Sequence, residues 1–129
     1  MLHKDYLLEV IEQFVSTVSQ ALVRALLQRD FEAAEEVEAA VADLVQRDPD
    51  TAMALAPQSL VTMMLLSGTG DSVAGYAAYA LNKLGDAYDN MGEHDVAELR
   101  REQARAIADS FGADLNEVPQ EFTDLEKQL

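Results

Sequence analysis

Residues 78–111 read AYALNKLGDAYDNMGEHDVAELRREQARAIADSF, and the rest of the chain is organised around this stretch. Apolar residues recur every three or four positions from Val73 onward, which predicts one face of an α-helix. Gly92 then supplies a residue that can end the helix in a left-handed conformation. A second apolar stripe follows and ends at Gly112. Because the connection is short, the pattern predicts two antiparallel helices over residues 72–111.

Gly85 lies in the middle of the first predicted helix, where glycine costs roughly 1 kcal/mol relative to alanine. Without a Cβ atom at this position the second helix can approach closely, and Ala97 and Ala104 are small enough to meet it. We therefore expect a close contact between the helices at Gly85. The alternative is a tolerated glycine without a packing role. Asp71 is the expected N-cap, because its carboxylate can accept hydrogen bonds from free backbone N–H groups.

The small residues of this stretch have the spacing of a known repeat. The stretch resembles the tetratricopeptide repeat, a helix–turn–helix unit of about 34 residues. The matching residues are Leu84, Gly85, Tyr88, Gly92, Ala97 and Ala104. Three positions depart from the pattern: Leu81 stands where tryptophan is common, Arg101 replaces an aromatic residue, and Asp109 replaces the closing proline. The resemblance covers about one quarter of the chain and implies helical hairpins that present a groove to a partner protein.

Length and composition indicate one domain over residues 1–129, and the net charge limits the partners that the chain could bind. The formal net charge is −15, from 24 acidic and 9 basic residues. Such a surface repels phosphate backbones and anionic lipid, so we expect neither nucleic-acid nor membrane binding. Basic peptides, basic protein surfaces or metal cations remain open as partners. The alternative is that the acidic surface only maintains solubility.

The start of the chain does not resemble a secretory signal. Residues 1–5 lead into a run interrupted by Glu9, Glu12 and Gln13 rather than into a continuous apolar region. The longest apolar stretches are interrupted, and we expect none of them to span a bilayer. Cysteine is absent, which excludes disulfides and thiolate zinc sites within this sequence. These features predict a cytoplasmic protein.

A first hairpin is predicted over residues 5–47. Its first helix, from Asp5 to about Gln28, is apolar around most of its girth and must be covered on several sides. Covering by the same chain is the default interpretation. The alternative is a homodimer, in which this helix forms a two-fold interface. The residues that would form the interface are Leu8, Val15, Val23 and Leu27.

The second helix of this hairpin is expected to begin after an Asp30 cap and to end before Pro49, which disfavours a helical Asp48. Its predicted inner stripe is Phe31, Ala34, Val37, Val41 and Leu44.

Irregular short helices are predicted over residues 50–67. Asp50 is expected to start one of them, and Pro57 suits the first turn of another. The second of these short helices would bury Leu60, Met63, Met64 and Leu65. Residues 67–70, Ser-Gly-Thr-Gly, are expected to form a loop.

The last segment, residues 119–129, is predicted to be a capping helix that closes the open end of the helical array. Its apolar positions and those just before it are Leu115, Val118, Phe122, Leu125 and Leu129. The whole layout also resembles a family of small, functionally uncharacterised bacterial helical proteins. That resemblance rests on Asp5-Tyr6-Leu7, Ile11-Glu12-Gln13-Phe14 and the segment 50–65. It provides no catalytic residue to transfer.

Sites for chemistry are sparse in this sequence. His3 and His94 are the only imidazoles, and no Glu-x-x-His or His-Glu-x-x-His motif occurs. The acidic turn around His94 is interpreted as solvated rather than as a cation site. Gly68-Thr69-Gly70 precedes a helix but lacks the lysine and spacing of a phosphate loop. No Gly-x-Ser-x-Gly motif or thiol is present. We therefore predict no enzyme activity, no metal and no cofactor.

A binding surface is the remaining functional prediction. In a tetratricopeptide unit the first helix lines the groove, and the corresponding strip here is Tyr79, Asn82, Lys83, Asp86 and Asp89. Asp86 follows Asn82 by one turn, so acidic tails are expected to be poor ligands and a basic or polar peptide is favoured. The alternative is an ordinary solvated face. The sequence thus predicts an all-α fold of about six helices, organised as a tetratricopeptide-like array, and a non-catalytic protein–protein interaction module.

Overall fold

The computed structural model describes residues 2–129, and all its regular elements are helices. In chain order they are α1 (Leu2–Leu27), α2 (Phe31–Leu44), α3 (Pro49–Met53), α4 (Pro57–Leu66), α5 (Gly70–Asn90), α6 (His94–Phe111) and α7 (Thr123–Gln128), with a 3-10 helix at Gln120–Phe122 before α7. The predicted all-α class is confirmed. The described residues form seven α-helices where about six were expected.

Helix α5 occupies the centre of the fold and packs against α1, α2, α4 and α6. Small side chains make this central position accessible, because its neighbours can approach an alanine-rich surface closely. The buried alanines of α5 are Ala74, Ala77, Ala78, Ala80 and Ala87. Leu81 and Leu84 are also fully buried and fill the space between α5 and its neighbours.

The close approach predicted at Gly85 is present between α5 and α6. A Cβ atom at Gly85 would lie 2.6 Å from Cγ of Arg101 and 3.3 Å from the backbone oxygen of Ala97. Arg101 and the Ala97 backbone therefore form the contact, whereas we expected the small side chains of Ala97 and Ala104. At the other end of the pair, a Cβ atom at Gly70 would lie 2.7 Å from the ring of Phe111. Two glycines of α5 thus lie directly against α6.

The helix ends agree with several of the predicted signals. Asp30 caps α2 by accepting a hydrogen bond from the backbone N–H of Ala33 at 3.2 Å. Gly92 and Gly112 adopt left-handed conformations after α5 and α6, with φ of 82° and 72°. The backbone N–H of Glu93 then reaches the carbonyl of Tyr88 at 2.8 Å, which satisfies a free carbonyl at the end of α5.

Other local predictions are wrong by one or two residues. Helix α5 begins at Gly70, so Asp71 lies in its first turn and is not the N-cap. Helix α3 begins at Pro49 with Asp48 as its cap, rather than at Asp50. At α3 the reason is that the fixed backbone angle of proline suits the first helical position. At α5 the preceding residue, Thr69, is the N-cap, and its side chain makes no capping hydrogen bond.

Three of the apolar residues predicted to be buried are not. Leu65 is 61% exposed and Phe31 is 50% exposed, and Met63 is only partly buried. Leu65 follows the buried Met64 at the C-terminal end of α4, where the short helix offers only one covered face. Phe31 begins α2 and packs edge-on against the ring of Tyr88, with 6.0 Å between the ring centroids.

Helix α1 contains a stretch, Tyr6–Leu27, that by length and composition could cross a membrane, with a mean hydropathy of 1.2. We expected no stretch to pass that test. It passes because its 22 residues carry few charged side chains. A core helix passes the same test. In α1, 28% of the apolar window is buried, and Phe14, Val18 and Leu22 pack against the rest of the chain.

Candidate partner-binding surfaces

The five residues predicted to bind a partner lie on α5, and four of them already have partners within the chain. Tyr79 and Lys83 are covered by the C-terminal segment, residues 119–129. Asp86 and Asp89 form ion pairs with Arg101 of α6. Asn82 is half-buried. We refer to these five residues as the α5 strip.

The C-terminal segment is held on the α5 strip by an aromatic stack and by charge. The ring of Phe122 stacks on the ring of Tyr79, with 4.5 Å between centroids and 16° between planes. The Tyr79 hydroxyl donates a hydrogen bond to the Glu126 carboxylate, and Nζ of Lys83 lies 2.9 Å from the same carboxylate. Burial alone would raise the pKa of Glu126, but these two partners outweigh burial and lower it. Glu126 is therefore held in its charged form.

Tyr76, one turn before Tyr79, makes a second contact of the same kind. Its hydroxyl donates to the Glu121 carboxylate at 2.6 Å. Burial and the neighbouring Glu121 carboxylate raise the pKa of Tyr76 to about 12. The segment that lies on this end of the α5 strip is thus acidic, whereas the expected ligand was basic or polar.

At the other end of the α5 strip, Arg101 of α6 forms ion pairs with the two acidic residues. Its guanidinium lies 2.9 Å from Asp86 and 2.6 Å from Asp89. His94 adds a contact of 2.9 Å to Asp89 through Nδ1. Hydrogen bonds from His94 and Arg101 lower the pKa of Asp89. The two acidic groups that were expected to select a basic ligand are therefore already paired within the chain.

An open cleft lies elsewhere, between the N-terminal half of α1 and the C-terminal half of α2. Its volume is about 570 Å³. We call it the α1–α2 cleft. Its lining on α1 extends from Tyr6 to Thr17, and the loop after α4 contributes Ser67 and Thr69. The apolar residues of the lining are Leu7, Val10, Phe14, Ala39, Ala40 and Leu44.

The charge around the α1–α2 cleft is negative. Glu36 and Asp43 of α2 line it, and no basic side chain of residues 6–129 belongs to its lining. Glu36 is paired with Arg24 of α1, which joins the two helices at the end of the cleft that points toward their connection. Asp43 lines the cleft near the C-terminal end of α2, and its side chain is exposed. The cleft therefore combines an apolar floor with an acidic edge, on which Glu36 is paired with Arg24 and Asp43 carries the charge left for a ligand.

The residues predicted to form a dimer interface lie along α1 with different exposure. Leu8 and Leu27 are 52% and 56% exposed. Val15 and Val23 are partly buried and pack against the core. The rest of the chain therefore covers this face of α1 only in part.

A buried polar cluster that the sequence did not indicate connects α2, α3 and α6. Arg100 donates from Nε to Glu38 at 2.8 Å and from Nη1 to the backbone oxygen of Met53 at 3.0 Å. Gln103 donates from Nε2 to the backbone oxygens of Met53 and Leu55, at 3.2 and 2.9 Å. All three side chains are buried. The contacts to Met53 and Leu55 tie the end of α3 and the residues after it to α6, and the contact between Arg100 and Glu38 ties α6 to α2.

No group of three or more histidine, aspartate or glutamate side chains within the part of the chain that the structure describes could hold a metal ion. His94 and Asp89 do meet at the acidic turn, but Asp89 is shared with Arg101. No protein-family model, curated protein or solved structure matches this chain.

Sequence reasoning missed both the α1–α2 cleft and the acidic contacts of the C-terminal segment. The sequence of one helix gives no signal of the cleft, because the cleft forms between α1 and α2. The contacts of Glu121 and Glu126 did have a signal. Both glutamates flank the predicted apolar positions Phe122 and Leu125, and α5 carries a single basic residue, Lys83.

Proposed function

We propose that this protein is a non-catalytic interaction module that binds a basic, apolar helix or peptide of a partner protein in the α1–α2 cleft. One observation carries the proposal: an open cleft of about 570 Å³ has an apolar floor and an acidic edge. Pockets of roughly 300–1,000 Å³ are typical of binding sites. An acidic edge favours cationic ligands and disfavours nucleic acid and anionic lipid.

The shape of the cleft favours a peptide over a compact metabolite. On α1 the lining extends from Tyr6 to Thr17, which is roughly 17 Å at the helical rise of about 1.5 Å per residue. That length corresponds to three turns of a bound helix, whose apolar side chains would recur at positions one turn apart. The exposed Leu65 and Leu66 immediately precede Ser67 of the lining and extend the apolar surface along the chain.

The proposed architecture is a tetratricopeptide-like array of antiparallel hairpins, in which α1 and α5 are the first helices. The contacts of α5 with α6 support it, because Gly70 meets Phe111 while Asp89 meets His94. The start of α5 therefore lies beside the end of α6. In this arrangement α1 lines a groove, as the first helix of a hairpin does in such repeats.

We also propose that α1 acts as a core helix of a cytoplasmic protein and does not cross a membrane. Its buried face supports this, because Phe14, Val18 and Leu22 already have protein neighbours. The ion pair between Arg24 and Glu36 adds a polar contact in the C-terminal third of α1.

The binding proposal predicts that the chain captures a model amphipathic peptide. The probe is a fluorescein-labelled 14-residue helix (a chosen length, about four turns) with leucine on one face and lysine on the other. Fluorescence anisotropy is expected to show saturable binding. Ala40→Trp is expected to weaken it roughly tenfold, which is about 1.4 kcal/mol, because the indole would fill the cleft floor. Asp43→Lys is expected to weaken it as well, through the loss of the acidic edge.

Two controls separate the cleft from the overall negative charge. Asp109→Lys changes the net charge by the same amount as Asp43→Lys but lies on an exposed position of α6, so it should leave binding nearly unchanged. A leucine–glutamate peptide of the same length should not bind. Equal weakening by Asp43→Lys and Asp109→Lys, or no effect of Ala40→Trp, would reject the cleft as the binding site.

Self-association is the second candidate function, and the exposed leucines of α1 favour it. Leu8 and Leu27 leave apolar surface uncovered near the two ends of the helix. A symmetric dimer through α1 would cover both leucines of each chain. Light scattering at micromolar concentration is expected to give twice the monomer mass of 14.1 kDa, and Leu8→Glu with Leu27→Glu should return the monomer. A strict monomer in the unmodified chain would exclude this function.

A further inference from the structure

The C-terminal segment packs against α1 and places its side chains on α5 in the manner of a bound peptide. Its two apolar anchors, Phe122 and Leu125, are three residues apart and completely or almost completely buried. Glu126 follows immediately and pairs with Lys83. A short helix that buries residues one turn apart and adds one ionic contact is a recurring mode of peptide recognition.

The receiving surface is preorganised for this chemistry. Tyr79 offers a flat ring to Phe122, and the ammonium of Lys83 lies 5.7 Å from the centre of the same ring. Tyr76 contacts Phe122 edge-on, with 6.3 Å between ring centroids. All three receiving side chains belong to the long helix α5, so their spacing does not depend on the C-terminal segment.

The connection to the C-terminal segment is loosely packed. Residues 112–120 pass over α5 with a cavity of about 520 Å³ between them, lined on the α5 side by Gly75, Ala78 and Tyr79. Val118, within this connection, is exposed. Few contacts would therefore be lost from the connection if the segment left its position.

We propose that the Tyr76–Tyr79–Lys83 surface of α5 is a second interaction site, for a short acidic helix of a partner protein that carries an aromatic residue, an aliphatic residue three positions later and then a glutamate. The chain's own C-terminal segment has this pattern at Phe122, Leu125 and Glu126, and it occupies the site until the partner displaces it. This site differs from the α1–α2 cleft in position and in the charge that it selects.

The probe for this site is a fluorescein-labelled peptide with the sequence of residues 119–129, PQEFTDLEKQL. It is titrated into the full-length chain carrying Phe122→Ser and Leu125→Ser, which frees the surface. We expect saturable binding to this variant, at least about tenfold tighter than to the unmodified chain. The difference arises because a tethered segment competes at an effective concentration in the millimolar range.

Matched controls identify the contacts. The same peptide with Phe122→Ser and Leu125→Ser should not bind. Adding Lys83→Glu to the full-length variant should abolish binding, whereas Arg105→Glu, on an exposed position of α6, should not. Peptide binding that is equal in the variant and the unmodified chain, or that is absent while circular dichroism reports a helical variant, would overturn the proposal.

A measurement on the unmodified chain covers the case in which the variant does not fold. The amides of residues 122–129 are expected to exchange with solvent through local opening, much faster than the central amides of α5. If these amides exchange only as slowly as those of α5, the C-terminal segment is an inseparable part of the core, and the proposal is wrong. The two tests can fail separately, because the α1–α2 cleft and the Tyr76–Tyr79–Lys83 surface share no residue.

Discussion

Replacing Arg100 with leucine is expected to lower the free energy of unfolding by about 3–5 kcal/mol, because a buried charge that loses its partner is strongly destabilising. Within the part of the chain that the structure describes, Arg100 alone forms an ion pair with the buried Glu38, at 2.7 Å from Nη2 to Oε2. It also donates to the backbone oxygen of Met53. The variant would leave both acceptors without that donor. A melting temperature about 10–20 °C lower is expected for a domain of this size.

The matched control for Arg100→Leu lies on the same helix. Arg105 is exposed, and Arg105→Leu should change the free energy of unfolding by no more than about 0.5 kcal/mol. The double variant Glu38→Leu with Arg100→Leu should recover much of the lost stability, because an apolar pair avoids the isolated charge. If the single and double variants melt at the same temperature, Glu38 and Arg100 are not coupled and the ion pair does not stabilise this fold.

The Glu38–Arg100 pair also explains why a buried cluster escaped sequence reasoning. Glu38 belongs to an acidic run of α2, and Arg100 precedes another arginine in a charged part of α6. Both therefore match the ordinary pattern of a solvated helix face. Their burial depends on residues 53–55, whose backbone oxygens Arg100 and Gln103 satisfy. No local pattern identifies which of two adjacent arginines will meet a backbone segment about fifty positions away.

The helices themselves were predictable because their signals are local. Asp30 as a cap, Pro57 in a first turn and Gly92 after a helix each act within a few residues. Such signals survive the tertiary environment, and these three predictions are confirmed. The exposure of Leu65 is different, because it depends on how many neighbours a ten-residue helix receives.

The candidate surfaces were predictable only in part, for a related reason. Helical spacing correctly placed the five residues of the α5 strip on α5. It could not indicate that Arg101 and the C-terminal segment would cover them. Arg101 is instructive: it stands at a position where the tetratricopeptide pattern has an aromatic residue, and its aliphatic stem packs on Gly85 while its guanidinium reaches Asp86 and Asp89. The Arg101 side chain therefore packs against Gly85 and also neutralises the charges of Asp86 and Asp89.

Replacing Gly85 with leucine is expected to lower the free energy of unfolding by about 2 kcal/mol. Overpacking a helix contact costs about 1–3 kcal/mol or more, and the better helix propensity of leucine returns somewhat less than 1 kcal/mol. The first added atom would lie 2.6 Å from Cγ of Arg101 and 3.3 Å from the backbone oxygen of Ala97. Arg101 can rotate away only by leaving Asp86 and Asp89, and the α6 backbone cannot yield without moving the helix. A melting temperature about 6–10 °C lower is expected.

Gly75 provides the comparison within the same helix. A Cβ atom there would have no neighbour within 4 Å, because the residue borders the cavity beneath residues 112–120. Gly75→Ala and Gly75→Leu should therefore stabilise the chain, by up to about 1 kcal/mol from helix propensity. The stability of Gly85→Ala should fall between that of Gly75→Ala and that of Gly85→Leu, since a single methyl group displaces Arg101 but not the α6 backbone. If Gly85→Leu melts together with Gly75→Leu, then α5 and α6 do not touch at Gly85, and the α5–α6 hairpin is arranged differently.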